Sequence, residues 1–181
     1  NAPEFLRMCD RYGFYVIAEA DIECHTVTVL YGYGNRADYA RLANDPTYGE
    51  LIMDRVQRSV IRDKNRSSVL IWSMGNESGY GCNFEATLAW TKQYDPTRLT
   101  HYESSLFPYA WYKPDLSNLD VYSKMYDSVQ SVLEYVSNPD YDKPFIQCEY
   151  CHAMGNGPGD LEDYARLIEQ FPGFAGGFIW E

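Results

Sequence analysis

The sequence has no apolar run long enough to cross a bilayer. Its longest, such as Val69-Leu70-Ile71-Trp72 and Phe178-Ile179-Trp180, fall far short of the roughly 20 residues that a spanning helix needs. It also lacks clustered positive charge: 15 Lys and Arg stand against 26 Asp and Glu, a formal charge of -11. Such a surface repels a phosphate backbone, so the composition excludes nucleic acid and membrane as partners. No signal peptide opens the chain, since Asn1-Ala2-Pro3-Glu4-Phe5 has neither an initiating Met nor a basic segment followed by an apolar one. The last residues, Gly176-Gly177-Phe178-Ile179-Trp180-Glu181, stop on a strand-like run. Both ends therefore predict a piece of a longer polypeptide. Cysteine is scarce and odd in number, at five. None is spaced like a secreted disulfide framework, which predicts reduced thiols and a cytoplasmic location. What is present is 181 residues, 45% hydrophobic, enough for one globular domain over residues 1–181.

Short β-branched or aromatic runs alternate with helix-length polar and apolar stretches, the βαβ order of a parallel sheet. Strands are predicted at Phe14–Ile22, Ser68–Asn76, Leu99–Ser104, Leu119–Tyr126, Lys143–Tyr150 and Gly173–Glu181. Helices are predicted at Pro3–Tyr12, Pro46–Lys64, Phe84–Tyr94, Ser128–Val136 and Asp160–Phe171. Pro3 and Pro46 suit a first helical turn and Gly13 suits a helix end, while Tyr31-Gly32-Tyr33-Gly34 reads as a loop. This α/β pattern fits either an open doubly wound sheet or part of a (β/α)8 barrel. The strand ends favour the barrel. They carry Glu19, Asp21 and Glu23, then Asn76 and Glu77, then Glu103, Tyr126, Glu149 and Glu181, and in a barrel such ends converge on one face.

Glycoside hydrolysis needs two carboxylates at one bond, one to protonate the leaving oxygen and one to attack the sugar carbon or activate water. Glu77 and Glu149 are the best pair, because Ile71-Trp72-Ser73-Met74-Gly75-Asn76-Glu77-Ser78 and Phe145-Ile146-Gln147-Cys148-Glu149-Tyr150 each run an apolar strand into a carboxylate. Alone, either Glu could be an exposed cap. Asp21-Ile22-Glu23-Cys24-His25 puts a carboxylate and an imidazole on one side of an extended segment, a spacing that suits two ligands of one cation or a solvated surface loop. Cys148-Glu149-Tyr150-Cys151 is formally a C-x-x-C that could join Cys24, His25 and His152 around zinc, but period-two alternation turns Cys148 away from Glu149. Gly155-Asn156-Gly157-Pro158-Gly159 lacks the Lys and Ser/Thr of a phosphate loop.

Trp72-Ser73-Met74-Gly75-Asn76-Glu77-Ser78-Gly79 and Cys148-Glu149-Tyr150-Cys151-His152-Ala153-Met154-Gly155-Asn156-Gly157 resemble the acid/base and nucleophile motifs of glycoside hydrolase family 2 β-galactosidases. The resemblance continues through Cys9-Asp10-Arg11-Tyr12-Gly13-Phe14-Tyr15-Val16 and Gly176-Gly177-Phe178-Ile179-Trp180. It implies an incomplete (β/α)8 TIM barrel, approximately strands 3 to 8, with Glu77 as acid/base and Glu149 as nucleophile of a retaining hydrolase of terminal β-D-galactosides. In that mechanism the two carboxyl groups lie about 5–5.5 Å apart. A related β-glycosidase such as a β-glucuronidase, or a barrel that binds carbohydrate without turnover, is the alternative.

The same resemblance implies a Mg²⁺ site at Glu23, His25 and Glu77, and a Na⁺ site whose ligands lie largely outside this chain. The departures are Cys24 and Thr26-Val27, where the family often has Thr and Gly. Asn76 would bond the sugar 2-hydroxyl, Tyr126 would sit beside the nucleophile, and His152 and Trp180 would contact the galactose. Their bland roles are a turn former, packing, a helix-start histidine and core. The partners implied are a β-galactoside, the remaining domains of the parent polypeptide and further copies of the parent in a homo-oligomer.

Overall fold

A computed structural model describes residues 1–25, 39–109 and 112–181. The predicted loop Tyr31-Gly32-Tyr33-Gly34 and the pair Thr26-Val27 lie outside the described residues. The chain divides into two compact units, Asn1–Leu119 and Asp120–Glu181.

In the first unit β1 (Val16–Glu19), β2 (Val69–Ser73) and β3 (Leu99–His101) form a parallel sheet in that order. Helices Pro3–Tyr12, Arg41–Asn44, Gly49–Asp63 and Cys82–Tyr94 accompany it. Pro3 occupies the first turn of its helix, and Gly13 closes that helix in the left-handed region (φ 76), its N–H returning to Cys9 O. The Gly49–Asp63 helix buries Ile52, Val56 and Val60, a four-residue spacing that lines one face. Those side chains join Trp72, Met74, Tyr80, Phe84, Leu88 and Tyr102 in one core, where Phe84 and Tyr102 stack with centroids 4.2 Å apart. The buried Trp72 indole needs an acceptor and finds it in Asp95, at 3.0 Å. Burial pushes the Asp95 carboxyl up, yet bonds from Thr97, Trp72 and Arg98 outweigh it and hold the group at about 2.

In the second unit β4 (Tyr122–Met125), β5 (Phe145–Tyr150) and β6 (Phe174–Ile179) form another parallel sheet, with β5 in the middle. Helices Val129–Val136 and Leu161–Gln170 pack on it through Val132, Tyr164 and Leu167, against Phe145, Tyr150 and Phe174. Gly177 of β6 is required by closeness: a Cβ there would lie 2.9 Å from Gln147 O and 3.0 Å from Tyr150 Cδ1.

Several predicted boundaries shorten. The strand expected from Phe14 begins at Val16, because Phe14 and Tyr15 are 64% and 79% exposed; their aromatic character imitates a strand that the backbone does not form. The strand expected to reach Ser104 stops at His101, and Glu103–Leu106 coil into a 3₁₀ turn. The helix expected from Pro46 opens as a 3₁₀ turn, Pro46–Tyr48, in which the Asp45 side chain accepts from Thr47 N. Among the described residues no helix is long and apolar enough to cross a membrane.

Candidate active-site residues

Beyond β2 the chain is guided into Glu77 by close backbone contacts. Met74 N–H donates to His101 O at 3.1 Å and Asn76 N–H to Ile22 O at 2.8 Å, so Asn76 bridges Glu23 in parallel. Gly75 permits this approach: its φ is 142, and a Cβ would fall 2.7 Å from Ile22 O. Glu77 follows at φ 38, a left-handed conformation that a glutamate adopts only when its surroundings enforce it. Two bonds enforce it from the far side, Ser78 hydroxyl to Asn76 O at 2.7 Å and Tyr102 hydroxyl to Gly79 O at 2.9 Å.

The Glu77 side chain projects partly exposed toward His25, whose Nδ1 lies 2.6 Å from its Oε2 and 3.9 Å from Glu23 Oε1. One ligand atom from each of Glu23, His25 and Glu77 falls within 4.8 Å of the others. This is the group of metal-ligating side chains that the described residues bring together, and no cysteine joins it. All five cysteines are free thiols.

In the second unit the ladder between β4 and β5 slips by one residue: Lys124 pairs with Gln147 and Met125 with Glu149, leaving Cys148 out. A bulge of this kind re-aims the side chain that follows it. The Tyr126 hydroxyl donates to Glu149 Oε2 at 2.6 Å, and Tyr126 N–H donates to Glu149 O at 2.8 Å. His152 is exposed, its ring 5.9 Å from that of Tyr126. Trp180 is 41% exposed and is joined to the chain after Glu149 by Trp180 N–H to Tyr150 O at 3.2 Å and Ala153 N–H to Trp180 O at 2.8 Å.

Two features were not foreseen from the sequence. Glu19, Ser73 and His101 stand at one level of the first sheet. The Ser73 hydroxyl lies 3.2 Å from Glu19 Oε2 and 2.9 Å from His101 Nδ1. Burial pushes the His101 imidazole down to about 4, keeping it neutral. Aligning the three strands in register would have revealed the row. The other is Gln147, fully buried on β5, which read simply as part of an apolar strand.

The description "Glycosyl hydrolases family 2, TIM barrel domain" matches residues 1–181. The β-galactosidase of Staphylococcus xylosus is 50% identical over 100% of this chain and 18% of its own length, and that of Actinobacillus pleuropneumoniae is 46% identical over 100% and 20%. The chain thus spans about a fifth of the relatives it matches. Among solved structures, a glycosyl hydrolase family 2 member from Bacteroides cellulosilyticus aligns with TM-score 0.61 at 20% identity, over 99% of this chain and 22% of the other. The Ruminococcus gnavus β-glucuronidase in complex with uronic isofagomine aligns with TM-score 0.67 at 16% identity, over 99% and 37%. At such identities these structures speak for the fold.

Proposed function

The chain belongs to glycosyl hydrolase family 2, in its TIM barrel domain, and from that premise we propose that the intact protein is a retaining β-galactosidase to which this chain contributes both reacting carboxylates, from approximately barrel strands 3 to 8. The observation that carries the substrate is whole-chain identity of 50% and 46% to proteins named β-galactosidase, whereas the β-glucuronidase shares the fold at 16%.

In the proposed reaction Glu149 attacks the anomeric carbon while Glu77 protonates the departing oxygen. Glu77 then takes a proton from the water that releases galactose, and configuration is retained. The Tyr126 hydroxyl, 2.6 Å from Glu149 Oε2, holds one carboxylate oxygen so that the other faces the sugar. Asn76 contacts the 2-hydroxyl, and His152 and Trp180 offer exposed faces to the ring.

Two carboxylates and an imidazole within 4.8 Å suit a hard divalent cation, with the negative charges balancing the ion. Glu23, His25 and Glu77 would hold Mg²⁺, which would supply positive charge beside the Glu77 carboxylate. Initial rates of the intact protein on nitrophenyl β-galactoside, β-glucuronide and β-mannoside test the assignment. Turnover of the galactoside above the others is expected, and preference for the glucuronide overturns it.

A further inference from the structure

Asp127 is held on both backbone polar atoms and through its carboxylate. Its N–H donates to Gln147 Oε1 at 2.7 Å, and its carbonyl accepts from the Tyr164 hydroxyl at 2.7 Å. Its Oδ2 takes Lys124 Nζ at 3.0 Å and the Ser131 hydroxyl at 2.8 Å. The residue before it, Tyr126, sits at φ 50, a left-handed conformation that costs a tyrosine free energy and persists only where neighbours over-determine it. The direction of the Asp127 N–H is fixed by the preceding backbone torsion, so whatever grips that N–H also grips Tyr126.

Gln147 is an expensive way to fill this part of the core. It is fully buried, and its Nε2 makes no well-formed hydrogen bond among the described residues, the nearby Tyr164 hydroxyl being engaged with Asp127 O. A leucine would fill similar space without a desolvated donor. What the amide adds is one acceptor, and its orientation is dictated, because a backbone N–H can only donate.

We propose that Gln147 and Asp127 form a positioning clamp that locks Tyr126 in its left-handed conformation and so aims its hydroxyl at Glu149 Oε2. The clamp rests on the reading of Glu149 as nucleophile. It acts through Tyr126 and touches no substrate, so Gln147 is a positioning residue.

The test uses the intact protein and 2,4-dinitrophenyl 2-deoxy-2-fluoro-β-galactoside, which isolates the attack: a Glu149 oxygen to C1 bond forms, the C1 to phenolate bond breaks, and dinitrophenolate departs with the electron pair. Gln147→Leu should slow labelling on the order of tenfold, close to the effect of Tyr126→Phe, as expected when a hydrogen bond to a charged group is lost. The fall should appear in kcat on ordinary galactosides and much less in KM. The melting temperature should move little, since a desolvated amide leaves the core as the part-buried Asp127 N–H loses its acceptor. Gln147→Leu combined with Tyr126→Phe should label no slower than Tyr126→Phe alone. Should the leucine variant fail to fold, Tyr164→Phe releases the other side of Asp127 and carries the same expectations for labelling and kcat, with a lower melting temperature from the lost hydrogen bond to Asp127 O. Labelling of either single variant at the wild-type rate, or losses that multiply in the double variant, overturns the clamp. A wild-type protein that hydrolyses galactosides but is labelled elsewhere than Glu149 overturns the nucleophile reading, and the clamp falls with it.

Discussion

His25 Nδ1 lies 2.6 Å from Glu77 Oε2, joining the segment after β1 to the segment after β2 at the proposed acid/base. Mg²⁺ at this pair would bring Glu23 in as well, and the dependence is measurable. Removal of divalent cations by chelator should lower the galactosidase activity of the intact protein, Mg²⁺ should restore it, and His25→Ala should raise the Mg²⁺ concentration needed by tenfold or more, in line with loss of a ligand's directional contact. Activity unchanged in excess chelator would remove Mg²⁺ from the site. Stoichiometric zinc by elemental analysis would favour the thiols instead.

The two carboxylates should fail differently. Glu149→Gln should abolish turnover of every galactoside. Glu77→Ala should spare glycosylation by activated aryl galactosides, whose leaving groups depart without a proton, while slowing lactose-like substrates by roughly 10²–10⁴-fold, the usual contribution of general acid catalysis. Added azide should then give β-galactosyl azide with the alanine variant. Equal losses on both substrate types, without azide product, would show that the roles are misassigned.

Acid should act on the first unit through His101. Burial holds its imidazole at about 4, below the ordinary value near 6.5, so between those values the unfolded chain binds a proton that the folded chain refuses. Stability is therefore complete above about pH 6.5 and is lost as pH falls toward 4, by an amount on the order of 3 kcal/mol from this group. Parallel melts of wild type and His101→Gln across that window should converge as pH falls. A gap that stays constant from pH 7 to 4 would place the titration elsewhere.

Gly177→Ala should destabilise the second unit by about 1–3 kcal/mol, the range for overpacking, because the new methyl would press on Gln147 O and Cβ and on Tyr150 Cδ1. Gly159→Ala, where nothing lies within 4 Å of the added carbon, is the control. Similar midpoints in denaturant for the two variants would mean that β6 can move away from β5 at little cost.

Sequence alone determined the alternation of parallel strands and helices, and it picked out the residues on which the catalytic and metal proposals rest. Those features are local. Strand runs declare themselves by composition, Pro3 and Gly13 by their backbone preferences, and the stretches around Glu77 and Glu149 by long specific motifs. Boundaries were less legible: Phe14 and Tyr15 have strand-forming side chains, yet only partners across a sheet make a strand, and these two have solvent. Tertiary structure alone decided the bulge that leaves Cys148 out of the ladder, the row from Glu19 through Ser73 to His101 and the grip of Gln147 on Asp127. Each depends on register between segments far apart in the chain, and a one-residue slip sends a side chain to the opposite face. Periodicity along one strand contains no information about that slip. The hydrogen bonds between strands do, and they exist only in the folded protein.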